Sequence, residues 1–493
     1  MVVVPDRQTF HALARQGDLI PVYREILADV DTPVSAFFKL RDCPYAFLLE
    51  SVEGGKRIGR WSFLGTNPEA VLRTRGGAWE LLRNGVWERG ELGAEDPLHR
   101  LRDLLASETF VPHGDLPPFL GGAVGYMAYD LVRFFERLPD RCADDLALPD
   151  AWFLLTDTCI AFDRVLNRAK VIAMARVGED GVDAAYHQAC AKIEDLIARL
   201  RRPAMPPAPP APAGPLEVRS NYTRAQYEAM VLAAKEYIAA GDIIQVVPSQ
   251  RFEAETEADP FDIYRALRSI NPSPYMFYLQ LDGTHLCGSS PEILVTEHQG
   301  RVRTRPIAGT RRRGVTPEQD KALEVELLAD EKERAEHIML VDLGRNDLGR
   351  VCNYGSVEVD EYMVVERYSH VMHIVSNVVG RLRRDQDAFD VLRACFPAGT
   401  LTGAPKIRAM EIIDELEPTR RGAYGGAIGY FSYNGSMDTC ITIRTAVLRD
   451  GKCWWQAGGG VVADSDPGAE YDEACNKAMA MRRALEMAAR GLE

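Results

Sequence analysis

The chain has 493 residues, of which 46% are hydrophobic and 26% charged, a composition typical of a globular protein with length for about three domains. A formal net charge of −14 argues against a general nucleic-acid binder but leaves small anionic ligands open. The cysteines form no CxxC pair, the N-terminus lacks the shape of a signal peptide, and no uncharged run approaches bilayer-spanning length. We therefore expect a reduced, cytoplasmic protein with no nucleic-acid or membrane partner.

The N-terminal half is predicted to mix strands and helices. Strand-like runs lie at 45–51 and 70–75 and at 78–87, the last with a turn near Asn84-Gly85. Residues 151–176 resemble a hairpin of buried strands, and 183–201 an amphipathic helix.

A Pro/Ala-rich run, RRPAMPPAPPAPAGP, follows and predicts an extended connector. We expect an N-terminal region with regulatory elements over 1–200, a linker over 201–219 and a catalytic region over 220–493. This division in sequence does not require separation in space.

The C-terminal half begins with a predicted helix capped by Thr223 and ended by Gly241. Further on, helices are expected at about 262–269 and over most of 318–347, among strand-like runs joined by short turns. The last third alternates Gly-rich strand segments with a final helix. Adjacent strands with short turns favour an α+β fold with antiparallel sheets over a doubly wound parallel sheet.

Two carboxylate doublets mark this half. Glu333 and Glu336 lie in DEKERAEHIMLVDLGRNDLGR, and Glu470 and Glu473 in GGGVVADSDPGAEYDEACNKA. The i,i+3 spacing places both carboxylates of a doublet on one helix face. If the two faces meet, they form an all-oxygen site suited to Mg²⁺; alternatively, such pairs are common on solvated helix faces.

Three glycine-bearing segments also carry polar side chains: PIAGTRRRG (306–314), GTLTGAPK (399–406) and QAGGGVV (456–462). Glycine lets a ligand approach the backbone, so such segments can donate N–H groups to a carboxylate. Tight turns at strand ends are the competing interpretation of each.

Three single residues have two interpretations each. Arg444, in the apolar run CITIRTAV, is either an edge residue reaching water or a carboxylate clamp. His373 is either a core histidine or a functional one, and Glu292 is either exposed or a near-neutral acid. From the residues alone, the chain is predicted to be a Mg²⁺-dependent enzyme acting on a small polyanion.

Segments along nearly the whole chain resemble the chorismate-utilising enzymes, and among them the anthranilate synthase component I group. They are LLES, GGAVGYMAYDLVR, GDIIQVVPSQ, NPSPYMFY, SPE, PIAGTRRRG, AEHIMLVDLGRNDLGRV, YSHVMH, GTLTGAPK, GAYGGAIGY, DTCITIR, QAGGGVVADSDP and EYDE. This resemblance implies an α/β/β/α arrangement, in which antiparallel sheets pack between helical layers.

The resemblance also implies a site. Mg²⁺ would be held by Glu333, Glu336, Glu470 and Glu473, and would bridge to the ring carboxylate of chorismate. Chorismate contacts would come from Gly309, Thr310, Tyr424, Arg444, Gly458, Gly459 and Gly460. The catalytic residues would be Glu292, as the acid for departure of the C4 hydroxyl, His373, in the second step, and Thr400.

The implied reaction adds ammonia at C2 to give 2-amino-2-deoxyisochorismate, then eliminates pyruvate to give anthranilate, the first committed step of tryptophan biosynthesis. Relatives that form aminodeoxychorismate typically have lysine where this chain has Ala308, and isochorismate and salicylate synthases typically have it where this chain has Gln245. Both the aminodeoxychorismate-forming enzyme and a non-catalytic regulatory subunit remain alternatives.

Two partners are expected from the same resemblance. LLES and NPSPYM resemble tryptophan-binding elements, which predicts feedback inhibition by L-tryptophan through Glu50, Ser51, Pro274, Tyr275 and Met276. Because no segment resembles a glutaminase, ammonia is expected from a separate glutamine amidotransferase subunit (component II) in a hetero-oligomer.

Overall fold

A computed structural model describes residues 2–52, 59–204, 214–368 and 371–492. The helices are α1 (Arg7–Leu13), α2 (Pro33–Phe38), α3 (Pro97–Leu105), α4 (Val182–Leu200), α5 (Arg224–Ala240), α6 (Pro260–Ile270), α7 (Pro317–Ala329), α8 (Glu331–Gly349), α9 (Ala388–Cys395), α10 (Gly399–Thr402), α11 (Lys406–Leu416) and α12 (Pro467–Ala489), with a 3₁₀ helix at Tyr129–Phe134. Over these ranges, no helix combines the length and the apolar character that crossing a bilayer requires.

Within the described ranges, the strands form two large sheets and one small one. They are β1 (Leu19–Leu27), β2 (Tyr45–Glu50), β3 (Trp61–Thr66), β4 (Ala70–Arg75), β5 (Ala78–Arg83), β6 (Val86–Glu91), β7 (Gly122–Met127), β8 (Ala151–Thr156), β9 (Thr158–Asp163), β10 (Arg168–Arg176), β11 (Arg219–Ser220), β12 (Gln245–Val246), β13 (Ser249–Glu255), β14 (Tyr275–Leu281), β15 (Thr284–Ser290), β16 (Ile293–His298), β17 (Arg301–Thr304), β18 (Ile307–Arg312), β19 (Glu358–Arg367), β20 (Val371–Arg381), β21 (Gly403–Ala404), β22 (Ala427–Ser432), β23 (Met437–Ile441), β24 (Thr445–Arg449) and β25 (Lys452–Gly458).

The first sheet has the order β1-β10-β9-β3-β2-β14-β15-β24-β25-β13-β11. The second has the order β18-β20-β17-β16-β23-β22-β7-β8-β4-β5-β6, with β19 also paired to β20, and β12 pairs with β21. The ladders in the described part of the chain are antiparallel, as in β14 with β2 and β22 with β7. The predicted α+β fold with antiparallel sheets is therefore confirmed.

The two large sheets pack face to face between helices. Phe277 and Leu279 of the first sheet share a buried cluster with Val124 and Ile428 of the second. The alternate residue Tyr278 faces the other way and packs in a cluster with α6 and α12. Helices α3, α8 and α9 cover the outer face of the second sheet. Because both faces of these strands are buried, their sequences are nearly continuous apolar runs.

Both large sheets contain strands from both halves of the chain. β2 of the N-terminal half pairs with β14, and β7 pairs with β22 of the C-terminal half. Much of the predicted linker, 205–213, lies outside the described residues. The proposed division at 201–219 therefore stays a prediction about sequence, while the sheets join the two halves into one structure.

Several predicted elements are confirmed by their local chemistry. Thr223 caps α5 through its side chain, and Gly241 ends that helix in the left-handed conformation. Asn84 and Gly85 both have positive φ, at 51° and 76°, and form the two-residue turn between β5 and β6.

Two strand predictions need correction. Residues 151–176 form three strands, not a hairpin, because β8 pairs with β7 in the second sheet while β9 and β10 pair in the first. Likewise one of the strand segments predicted in the last third, TCITIRTAVLRDG (439–451), forms two strands: β23 belongs to the second sheet and β24 to the first. The chain crosses between sheets at Arg444, whose φ of 51° would break any strand. Of the three consecutive glycines, only Gly458 lies in a strand.

Candidate active site

The two acidic doublets lie on facing helices. Asp330 caps the start of α8 and Asp466 that of α12, so each doublet projects from the first two turns of its helix. A Cβ atom added to Gly459 would lie 2.8 Å from Glu470 Oε2 and 3.9 Å from Glu473 Oε1. One added to Gly460 would lie 3.6 Å from Glu336 Oε1. Because these glycines are consecutive, both doublets converge on the same short segment.

The remaining member of the α8 doublet contacts β18. A Cβ added to Gly309 would lie 3.2 Å from Glu333 Oε2, and Gly309 itself has a φ of 75° at a register shift in the strand. Arg311 donates to Glu333 over 3.2 Å, and Gln245 Nε2 donates to Glu336 over 2.9 Å. Gln245 stands where isochorismate and salicylate synthases typically have lysine. In this structure it orients Glu336, one of the predicted Mg²⁺ ligands.

The doublets place several hydrogen-bond acceptors close together, and like charges in each doublet repel each other. Burial raises the pKa of Glu333 and of Glu470, and the neighbouring carboxylate of each doublet raises it further. In the described part of the chain, no three His, Cys, Asp or Glu side chains stand close enough to form a finished metal site. The donor set, four carboxylates around a glycine segment, nonetheless fits a hard cation such as Mg²⁺.

Glu292 is enclosed at the start of β16. Only 8% of the residue is exposed, and burial raises the pKa of its carboxyl to about 8. Thr400 Oγ1, in the short helix α10, donates to Glu292 Oε1 over 3.0 Å. The structure therefore brings Glu292 and Thr400 together and favours the near-neutral acid over the exposed carboxylate.

His373 lies opposite Thr310 in the pairing of β20 with β18. Its Nδ1 is 3.0 Å from both Thr310 Oγ1 and the carbonyl oxygen of Gly309. Burial lowers the pKa of the ring, which favours neutral imidazole. Because a carbonyl only accepts, Nδ1 carries the hydrogen and Nε2 is left as the proton acceptor.

Arg444 lies half-buried where the chain crosses between the sheets. Burial lowers the pKa of its guanidinium, and Tyr424, Glu292 and Glu473 are the groups whose charges oppose that change. In the described part of the chain, its side chain forms no hydrogen bond or ion pair. Burial also raises the pKa of Tyr424 to about 12, which keeps its hydroxyl as a neutral donor. A half-buried guanidinium with no partner among the described residues is available to bind a carboxylate, as the clamp interpretation requires.

Lys477 also lies in the site, although no motif in the sequence marks it. It lies one turn after Glu473, with Nζ 2.7 Å from that carboxylate and 3.0 Å from the carbonyl of Gly458. Its charge also helps to lower the pKa of Glu292 from the value that burial alone would give. In sequence the pair looks like an ordinary helix-surface Glu–Lys pair.

Other polar residues of the glycine-bearing segments have structural partners instead. Lys406 pairs with Asp347 over 2.7 Å, Thr402 donates to the carbonyl of Ala398, and Arg313 pairs with Asp320. These side chains secure the ends of helices and strands, so they are not free to bind an anion.

The elements predicted to bind tryptophan are adjacent. Glu50 of β2 lies opposite Met276 of β14. The Glu50 carboxylate is buried and accepts from Tyr264 over 2.6 Å and from Arg268 over 2.9 and 3.1 Å. Glu50 therefore already has three donors.

Ser51 and the turn before β14 complete this region. Ser51 Oγ is buried with no hydrogen-bond partner among the described residues, whereas its carbonyl accepts from Arg164. Pro274 is buried, and Tyr275 donates to Asp438 over 2.9 Å. An unsatisfied buried hydroxyl is unusual enough to need an explanation, and a ligand would supply one.

Comparisons with known proteins agree on one family. The family model described as chorismate binding enzyme matches residues 44–483. The chain is 48% identical to anthranilate synthase component 1 of Aquifex aeolicus, covering 97% of this chain and 96% of the relative. It is 49% identical to the protein of the same name from Pseudomonas putida, covering 98% and 99%.

Solved structures show the same fold. The crystal structure of anthranilate synthase component I from Streptococcus pneumoniae matches with a TM-score of 0.75 at 38% identity, covering 92% of this chain and 98% of that one. The menaquinone-specific isochorismate synthase of Escherichia coli matches with a TM-score of 0.70 at 20% identity, covering 97% and 98%, a likeness in fold alone.

Proposed function

The chain belongs to the chorismate-binding enzymes, in the anthranilate synthase component 1 group, and we propose that it converts chorismate and ammonia to anthranilate and pyruvate. The observation that carries this proposal is the convergence of both acidic doublets on Gly459–Gly460, close to Lys477 and the buried Glu292. A dicarboxylate substrate needs opposing positive charge, backbone donors and an acid, and this region offers each of them.

The proposed roles follow from the contacts. Glu333, Glu336, Glu470 and Glu473 would hold Mg²⁺, which when bound neutralises and positions a substrate carboxylate. Arg444 and the neutral hydroxyl of Tyr424 would bind the second carboxylate, with N–H groups from Gly458 to Gly460. Thr310, which contacts His373, and Gly309 would line the remaining side.

The first step needs an acid and the second a base. Glu292, protonated at neutral pH and held by Thr400, would give its proton to the departing C4 hydroxyl as ammonia adds at C2. His373, with Nε2 free to accept, would take the C2 proton of 2-amino-2-deoxyisochorismate as pyruvate leaves and the ring aromatises. Gln245 donates to Glu336 and is no base, which disfavours activation of water.

The first test is direct. Purified chain is incubated with chorismate, Mg²⁺ and an ammonium salt, and products are identified by fluorescence and mass spectrometry. Anthranilate with pyruvate supports the proposal. Aminodeoxychorismate or isochorismate would keep the fold and overturn the inferences from Ala308 and Gln245. The absence of any turnover with chorismate would favour a regulatory subunit.

We further propose that a glutamine amidotransferase subunit supplies the ammonia. The relatives are named component 1, which points to a second component in those enzymes. We expect this chain alone to use ammonium salts but not glutamine. Glutamine-dependent anthranilate formation by the isolated chain would contradict a separate donor.

We also propose inhibition by L-tryptophan at the region of Glu50, Ser51, Pro274, Tyr275 and Met276. The buried Ser51 Oγ, which finds no hydrogen-bond partner among the residues that the structure describes, supports a ligand there. This region contacts the active site through the backbone, because Ser289 of β15 donates to the carbonyl of Arg444 over 3.2 Å while its hydroxyl is 2.8 Å from Ser273 Oγ.

Replacing Ser51 with Phe should raise the tryptophan concentration for half-inhibition by about tenfold or more, because a larger side chain would overfill a packed site. Inhibition curves at fixed chorismate measure the effect, with Ser51→Ala as the control that opens rather than fills the space. Uninhibited kcat/KM should stay close to wild type in both variants. Unchanged inhibition of Ser51→Phe would place the tryptophan site elsewhere.

A further inference from the structure

The ion pair between Arg421 and Glu417 is fully buried beside the proposed site, and the proposed reaction gives it no role. Arg421 and Glu417 lie in the connection between α11 and β22, with side chains only 2% and 3% exposed. Arg421 donates Nε–H to Glu417 Oε2 over 2.9 Å and Nη2–H to Glu417 Oε1 over 2.6 Å. This is a bidentate pair with the geometry that arginine, and not lysine, can form.

The remaining donors of Arg421 reach two further segments. Nη1 donates to the carbonyl of Leu401 and Nη2 to that of Val247, each over 2.7 Å. Leu401 follows Thr400, the partner of Glu292, and Val247 lies two residues after Gln245, the partner of Glu336. A single guanidinium thus secures the backbone beside two candidate site residues.

The pair also contacts the other side of the site. The Arg421 guanidinium carbon lies 5.6 Å from the ring centre of Tyr424 and 4.6 Å from that of Tyr129. Glu417 Oε1 accepts from the backbone N–H of Ser249 over 2.9 Å and from its hydroxyl over 2.7 Å. Ser249 in turn accepts from Gln456, two residues before the glycine run 458–460.

We propose that the Arg421–Glu417 pair is the positioning element of the active site, setting the relative placement of Thr400, Tyr424, Gln245 and the glycine run. All four lie on different segments, and the pair or its partner Ser249 contacts each segment. A buried ion pair is poor evidence for stability alone, since apolar side chains of similar volume often stabilise a core as well. The Arg421 guanidinium also donates hydrogen bonds to two backbone carbonyls next to candidate site residues. This inference rests on the proposed function for the roles of those residues.

The test is Arg421→Lys, which keeps the charge but loses the fork that reaches both carbonyls and both carboxylate oxygens. We expect kcat/KM for chorismate to fall about 10–100-fold, since displacing reacting groups by about 1 Å costs that much. Release of α10 should also weaken the Thr400 bond that lowers the pKa of Glu292, so the alkaline limb of the rate profile should move to higher pH.

The matched control is Arg393→Lys. Arg393 forms a bidentate pair with Asp96 over 2.7 and 2.9 Å, at 18% and 9% exposure, and joins α9 to α3 outside the site. Both variants should lower the thermal unfolding midpoint, but only Arg421→Lys should change kcat/KM and the pH profile. If Arg421→Lys melts lower yet keeps wild-type kinetics and pH profile, the pair is merely structural and the proposal is overturned.

A milder variant covers the case in which Arg421→Lys does not fold. Ser249→Ala keeps the ion pair and removes only the hydroxyl link to Glu417 and Gln456, so kcat/KM should fall in the same direction by a smaller factor. Wild-type kinetics of a folded Ser249→Ala would then contradict the proposal. The wild-type product, identified by mass spectrometry, tests the proposed function separately. If wild type forms no product, chorismate affinity by calorimetry allows the same comparison.

Discussion

Replacing Glu292 with Gln is expected to lower chorismate turnover by about 10²–10⁴-fold, the range typical for loss of a positioned general acid. Glutamine has nearly the same shape and can still accept the hydrogen bond from Thr400, which the carboxylate accepts over 3.0 Å. Chorismate binding should therefore change little, and the loss should appear in kcat. What the amide lacks is a proton to give to the departing C4 hydroxyl.

The pH profile should identify the same group. Because burial raises the pKa of Glu292 to about 8, the acid form prevails at neutral pH and is lost above that value. We expect kcat to fall on the alkaline side with an apparent pKa near 8, and the residual activity of Glu292→Gln to lack this limb. Initial rates across pH, at saturating chorismate and Mg²⁺, measure both.

Glu297→Gln is the matched control. Glu297 lies on the same strand, β16, is 6% exposed, and burial likewise raises its pKa, but it accepts from the N–H of Gly300 at the far end of the strand. This variant should keep wild-type kcat and pH profile. An alkaline limb that survives in Glu292→Gln, or nearly full activity of that variant, would remove Glu292 from the acid role.

The raised pKa of Glu292 also predicts how the stability of the folded protein depends on pH. The folded-state pKa of about 8 exceeds the ordinary value of 4.5, so folding favours the neutral carboxyl. The contribution of Glu292 to stability is complete below pH 4.5 and disappears as the pH rises through about 8. Thermal unfolding midpoints of Glu292→Gln should therefore fall less steeply than those of wild type as the pH rises from 4.5 to about 8.

Caps, turns and the spacing of apolar residues predicted most helices and strands. The position of each strand in a sheet depends on long-range strand pairing, which these local features do not specify. The cap at Thr223, the stop at Gly241 and the Asn84-Gly85 turn were correctly predicted because each depends on neighbouring residues. The passage of the chain from one sheet to the other at Arg444 has no such signal. An apolar run on both sides of it suits either sheet, and only the long-range partners of β23 and β24 decide between them.

The candidate site divides in the same way. The doublets were visible because their spacing fits one helix face, and the segments carrying Glu292 and Thr400 were selected for their residue types. Lys477 and Arg421 were missed, since their roles depend on what the fold brings near them. In sequence, a glutamate followed four residues later by an arginine has the spacing of a helix-surface ion pair. Only the structure shows that Glu417 and Arg421 are buried.

Replacing one glutamate in each doublet should have the second large effect. Glu336→Gln and Glu470→Gln each keep side-chain shape but remove one negative charge from the segment around Gly459 and Gly460. If these carboxylates hold Mg²⁺, turnover should fall by about 10²–10³-fold, as expected when a metal that stabilises charge by several kcal/mol is lost. Titration of activity with Mg²⁺ should show a higher half-saturating concentration in both variants.

Two controls remove the same charge from the same helices. Asp472 lies beside Glu473 on α12, is exposed and pairs with Arg224, and Glu331 is exposed at the start of α8. Asp472→Asn and Glu331→Gln should leave both turnover and the Mg²⁺ requirement unchanged, because exposed charges contribute little. Equal losses in the controls would mean that general charge, and not a ligand set, governs activity.

Stability without metal supplies a second readout that does not depend on turnover. Burial and then Glu473 raise the pKa of Glu470, so its ionised form is disfavoured in the folded protein and costs stability at neutral pH. Glu470→Gln should therefore raise the thermal unfolding midpoint of the metal-free protein while reducing the gain that Mg²⁺ produces in wild type by binding the folded state. A carboxylate that served only to stabilise the fold would give the opposite sign in the first measurement and no change in the second.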